Sequence, residues 1–263
     1  MNSHKKWKNY LQEILDQEDG TIDTSQFEAK DELHPDFWQS QRILDSNIAN
    51  NLYAIAQDFF KSLNLNWVEL KDVTLTGSIA NYTWSKYSDV DLHIILNFQE
   101  IDENLELVRE YLRDAGSLWN KTHNIKIKGF DVEIYVQDYN EPHHSTGVYS
   151  VLRDTWIAQP IKTSETVDHA NIHKKSVMLM DDIDEVYEMF ANKEYKGSAD
   201  AAERLRDKIR KFRQAGLERG GAYSVENLTF KVLRRNEYLK RLASLRIMSY
   251  DKLMSLNGNN HNI

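Results

Sequence analysis

The chain has 263 residues, 41% of them apolar and 11% aromatic, enough for one large domain or two smaller ones with a substantial core. Its net charge of −8 argues against a surface that coats nucleic acid uniformly, and with no cysteine there is neither a disulfide nor a thiolate metal site, a composition that fits the cytoplasm. No apolar run approaches the roughly 18 residues of a membrane span, and the opening "MNSHKKWKNYLQEILDQEDG" lacks the apolar stretch expected of a secretory signal.

In chain order, residues 5–17 read as a short amphipathic helix, followed by a polar, acidic stretch to about residue 33. "LHPDFW" reads as a turn and a helix start, Pro35 suiting a first turn. Between Phe37 and Leu63, Ile48, Leu52, Ile55, Ala56, Phe59 and Phe60 recur at three-to-four spacing, which predicts a helix with one buried face. "WVELKDVTLTG" reads as a strand ending in a glycine turn, "SIANYTWSKYS" as a helix or helical turn, and "DVDLHIIL" as the next strand. "IDENLELVREYLRDAGSLW" is helical, with Leu105, Val108, Leu112 and Leu118 as its apolar side.

"IKIKGFDVEIYV" alternates strictly and reads as a strand or a hairpin pair broken at Gly129. "VYSVLRDTWIAQP" reads as a hairpin turning at Arg153-Asp154 and closed by Pro160. After Pro160 no strand signal remains, and helices are expected near 167–191, 198–217, 224–240 and 243–256, with the tail "NGNNHNI" frayed. The expected division is a domain over 1–160 and a helical domain over 161–263.

Alternate residues of a strand share a face. Asp89, Asp91 and His93 therefore point one way while Val90, Leu92 and Ile94 enter the core. In the later strand, Asp131 and Glu133 point outward while Phe130, Val132, Ile134 and Val136 point inward. If the two strands are neighbours, three or four carboxylates meet on one surface, and their repulsion calls for cations. Hard oxygen donors of this kind suit Mg²⁺ or Mn²⁺. Gly77-Ser78, at the end of the preceding strand, offers backbone N–H groups and a hydroxyl to phosphate oxygens. A phosphate cradle beside a carboxylate–metal cluster is the layout of phosphoryl or nucleotidyl transfer.

Gly77-Ser78, ten residues, Asp89-Val90-Asp91-Leu92, and then Val132-Glu133-Ile134 on a later strand resemble the signature of the DNA polymerase β-like nucleotidyltransferase superfamily. The resemblance covers residues 67–137. It implies an α/β fold, with a small mixed-sheet core preceded by helices and followed by an α-helical C-terminal region. It further implies that Asp89 and Asp91 hold two metal ions. Glu133 would bind one of these and activate the incoming hydroxyl, and Gly77 and Ser78 would hold the triphosphate of an NTP such as ATP. Asp131 lies on the same face and rivals Glu133. The implied reaction is attack of a hydroxyl on the α-phosphate with release of pyrophosphate.

The acceptor is open between an RNA 3′ end, as in RNA-tailing and tRNA-modifying branches, and a small molecule, as in aminoglycoside adenylyltransferases. A catalytically idle nucleotide-binding module is a third reading. Residues 203–252 carry 14 Lys/Arg against 6 Asp/Glu. Arg206, Lys208, Arg210, Lys211, Arg213, Lys231, Arg234 and Arg235 are candidates for phosphate or RNA contact, or equally a solvated helix face. His93 is a candidate for orienting an aspartate, His143-His144 for a metal, and Tyr149 and Trp156 for base stacking, each with a plain structural reading beside it.

Overall fold

The computed structural model describes residues 22–39, 42–143, 145–162 and 165–255. The helix expected at 5–17, the tail "NGNNHNI" and His144 lie outside them. The chain packs as two compact units: Glu28–Ser164, and Glu165–Ile263 with the described part of Met1–Phe27.

The first unit is a six-stranded mixed sheet with two helices. The strands are β1 (Leu70–Thr76), β2 (Val90–Leu96), β3 (Lys126–Ile127), β4 (Phe130–Asp138), β5 (Val148–Ser150) and β6 (Thr155–Ala158). Their order is β3-β4-β2-β1-β5-β6. Only β2 and β4 run parallel; the other neighbours are antiparallel. A parallel pair needs a crossover, and α2 (Leu105–Thr122) lies between these two strands in sequence. The β3–β4 turn has Lys128 at φ +53° and Gly129 at φ +89°, the pair of left-handed residues that a two-residue hairpin favours. Asp154, at φ +51°, closes the β5–β6 hairpin.

Helix α1 spans Ser46–Ser62 and buries Ile48, Leu52, Ala56 and Phe59. It begins nine residues later than Phe37, where the expected helix began. Asp45 caps it, accepting from the backbone N–H of Asn47 and Ile48. The preceding residues turn back instead, with Arg42 at φ +62° and Trp38 bridged to Leu44. In α2 the buried positions are Val108, Leu112 and Gly116. Leu118 is exposed, and Trp119 packs on the core in its place. These helices cover the apolar face carried by Val73, Leu75, Leu92, Ile94 and Ile134.

Among the described residues the second unit has four α-helices: α3 (His169–Ala191), α4 (Tyr195–Gly220), α5 (Val225–Arg235) and α6 (Tyr238–Met254). Their core gathers Leu179, Ile183, Leu205, Ile209, Leu233, Leu242 and Leu245. The break between the last two falls at Asn236-Glu237, earlier than expected, where Glu237 takes φ +59°. No strand follows β6 among the described residues, and no described helix is long and apolar enough to cross a membrane.

Candidate active site

Strand β1 ends at Thr76, opposite Asp91 of β2. Gly77 follows with φ +72°, a backbone state that costs a side-chain-bearing residue about 1–2 kcal/mol. Its missing side chain leaves room for Asp91: a Cβ on Gly77 would overlap Asp91 Oδ2 and lie 2.7 Å from Cγ. The turn and the second aspartate are thus packed together.

Residues 77–83 form successive turns instead of the expected helix or helical turn. Side chains account for this. Asn81 Nδ2 donates to the Gly77 carbonyl at 2.7 Å, the Ser78 hydroxyl donates to Ser88 Oγ at 2.7 Å, and the Ser85 N–H donates to the same oxygen at 2.9 Å. Such local bonds replace the helical ladder. Gly77 and Ser78, the expected phosphate contacts, therefore sit in a chain of turns. Asn81 also accepts from Thr146 Oγ1 at 2.8 Å, and the neighbouring Gly147 sits so close to the Ala80 carbonyl that a Cβ would overlap it. This clamp from the β4–β5 loop was not foreseen; the only local hint is an Asn four residues after the glycine, a residue type that bonds nearby backbone.

The parallel register sets Val90 beside Val132 and Asp91 beside Glu133. A cleft of about 230 Å³ is lined by Asp89, Asp131 and Glu133, together with Asn120, His123 and Asn124. Asn120 at the end of α2 donates to the Ile134 carbonyl and accepts its N–H, both at 2.9 Å. Its amide thereby stands in for a neighbouring strand at the edge of β4, one residue from Glu133.

The four acids differ in their partners. Glu133 accepts from the Tyr135 hydroxyl. Asp131 is exposed and takes Lys126 Nζ at 2.6 Å across the β3–β4 hairpin. Asp91 lies on Gly77, and Asp89 at the cleft. Among the described residues no three acidic or histidine side chains are gathered tightly enough to hold a metal ion. The donor set nevertheless fits a hard divalent cation: it is all carboxylate oxygen, two acids share one register position, and the space beside Gly77 belongs to one of them.

His93 shares the face of the acids, but its Nδ1 lies 3.1 Å from Gln137 Oε1. Burial pushes its pKa down to about 4 against the opposing Gln137 bond, so the ring is neutral at pH 7. Tyr149 is buried, and Trp156 stacks on Trp38 at 4.6 Å and donates to the Arg42 carbonyl; both follow their structural reading. Of the basic residues, Arg206 and Arg210 pair with Glu203 and Asp207 one helical turn away, and Lys208 with Asp182 of α3. Arg213 bonds Asn227 and covers the Phe230 ring at 4.2 Å.

The family model described as Nucleotidyltransferase domain matches residues 56–144. Comparison with curated proteins and with solved structures found no match in either. The matched segment runs from within α1 to the loop after β4, taking in the turn, both aspartates and Glu133. Motif and family match agree that residues 56–144 carry a nucleotidyltransferase domain of the DNA polymerase β-like kind.

Proposed function

We propose that the protein is a metal-dependent nucleotidyltransferase that moves a nucleoside monophosphate from an NTP to the 3′-hydroxyl of an RNA. The observation that carries this reading is the placement of Asp91 between Gly77 and Glu133: its carboxylate lies against the glycine turn, and its strand position is beside the third acid.

Asp89, Asp91 and Glu133 would hold Mg²⁺ or Mn²⁺. Such ions supply charge stabilisation at the attacking and leaving oxygens. The turn at Gly77-Ser78, held by Asn81, receives the triphosphate. The acceptor oxygen forms a bond to the α-phosphorus while the bond to the bridging oxygen breaks, and pyrophosphate leaves with that electron pair. Glu133 accepts the proton of the acceptor hydroxyl. Asp131 is the weaker candidate for that role because Lys126 already neutralises it. The basic helices of the second unit are a further proposed RNA surface, although Arg206, Lys208 and Arg210 are ion-paired within it.

The test is incubation of the full chain with Mg²⁺, total RNA and each α-labelled NTP in turn. Label entering RNA with release of pyrophosphate is the expected result. Label on a small molecule would replace the acceptor, as in the aminoglycoside-modifying enzymes. Label nowhere, with NTP bound, would leave a binding module in place of an enzyme.

A further inference from the structure

Beside the carboxylate cleft, a series of rings runs from the core to the surface. Phe59 is buried. Trp119 meets it edge-on at 5.5 Å, and His123 lies on Trp119 at 3.8 Å with the planes only 19° apart. His123 is itself exposed and lines the cleft beside Asp89 and Glu133. Its Nδ1 is 3.0 Å from the Trp119 carbonyl, so an Nδ1–H can donate there and fix the ring plane. A ring already held by a stack and a bond loses little freedom when a second flat group lands on its outer face.

The chain after His123 continues along a second concavity. Ile125 lines the cleft and also a groove of about 450 Å³ between α1 and the β3–β4 hairpin. The groove is lined by Asn47, Asn51 (whose amide donates to the Asn47 carbonyl), the half-buried Ile55, Ile125 and Ile127 over the buried Ile48, and two lysines, Lys126 and Lys128, against one aspartate, Asp45. Lys126 is committed to Asp131. Lys128 sits at the exposed hairpin turn, where its charge helps the backbone and Gln39 bonds hold the Asp45 carboxyl below its usual range.

We infer that residues 123–128 form the acceptor track, and that the acceptor is a single-stranded polynucleotide. The terminal base stacks on His123, which sets its sugar beside Glu133. The backbone then passes over the hairpin turn, where Lys128 meets a phosphate, and the next base enters the groove against Ile55 and Ile125, with the Asn47 amide beside it. An aminosugar has no π face to lay on His123, whereas a nucleobase does. The inference rests on the transferase reading for its placement of the reacting hydroxyl, but binding can be measured apart from transfer.

The experiment is fluorescence anisotropy of a short labelled single-stranded RNA with the full chain, without NTP. Affinity for a fluorescent ATP analogue is measured in parallel. His123→Ala should weaken RNA binding about tenfold, the size of one lost base–aromatic stack. His123→Phe should restore it, which a purely structural role for the imidazole bond would not allow. Lys128→Ala should lower the slope of log affinity against log salt by about 0.7, one phosphate contact on a single strand. Nucleotide affinity should be unchanged in all three. No RNA binding by the wild type, RNA binding unaffected by His123→Ala, or duplex RNA bound as well as the single strand would each overturn the track. Loss of RNA binding in these variants, in a protein that transfers no label, would keep the track and sink the transferase reading.

Discussion

Placing a methyl group on Gly77 tests whether turn and acid form one unit. In Gly77→Ala the new Cβ overlaps Asp91 Oδ2 and lies 2.7 Å from Cγ and 3.1 Å from Cβ of that residue. The φ of +72° adds its own strain, about 1–2 kcal/mol for an L-residue. Asp91 cannot stay where it is, and a displacement of about 1 Å at a reacting centre costs on the order of 100-fold in rate. Removing the carboxylate first changes the outcome. In an Asp91→Ala background the two worst overlaps vanish and the backbone strain remains, so the penalty of Gly77→Ala should shrink to about 1–2 kcal/mol. The assay is urea unfolding of the wild type, both single variants and the double variant without metal. A coupling of about 1–2 kcal/mol between the two sites is expected, within the range seen for touching residues. Additivity within about 0.5 kcal/mol would show that the carboxylate does not depend on the glycine, and would sink the idea that turn and acid form one unit.

Asp91→Asn should cut transfer by at least about 100-fold, because fixed charge at the phosphoryl centre dominates such catalysis; metal-free stability should hold or rise as repulsion falls, and an unfolded variant would mark the carboxylate as structural. Glu133→Gln should be as severe in transfer assays, whereas Asp131→Asn should keep most activity and cost under about 1 kcal/mol, since its pair with Lys126 is exposed; the opposite ranking would exchange their roles. His93 is neutral in the fold, with its pKa pushed to about 4 from 6.5. The unfolded chain therefore takes up this proton first, and stability should fall as pH drops from 6.5 towards 4, by up to about 1.4 kcal/mol per pH unit. Unfolding curves of wild type and His93→Gln should converge at low pH and separate above it; parallel curves across that window would remove the effect.

The strands and both hairpins were legible because period-two alternation and turn residues are local signals, read without knowing the partners. The acid face of β2 was legible for the same reason. That Asp91 lies beside Glu133 was not: it depends on β4 joining β2 in parallel across α2, a long-range pairing that sequence periodicity cannot report. Where pattern and structure part, side chains often outcompete the backbone. Asn81, Ser85 and Ser88 hold the segment after Gly77 in turns where the pattern suggests a helix or helical turn, and Asp45 starts α1 where Pro35 suggests an earlier beginning. The stop at Asn236-Glu237 has no glycine or proline to announce it. Leu118 reads as inward because leucine is apolar, yet the core at that turn is closed by Trp119, whose indole also carries His123.

The gap between Ser78 and Asp89 also acquires a physical meaning. Thr76 and Asp91 are cross-strand partners, so the residues between them are the loop of a β1–β2 hairpin. The glycine–serine turn and the aspartate pair are distant in sequence and adjacent in space because that hairpin closes on itself. Its length is not arbitrary. Ser78 reaches forward to Ser88, and Asn81 reaches back to Gly77 and across to Thr146. The Ser78–Ser88 bond closes the loop across its span, while the Asn81–Gly77 bond is local to the turn. The glycine and the second aspartate therefore belong to one local geometry: a turn at the end of β1 packed against the Asp91 carboxylate at the start of β2.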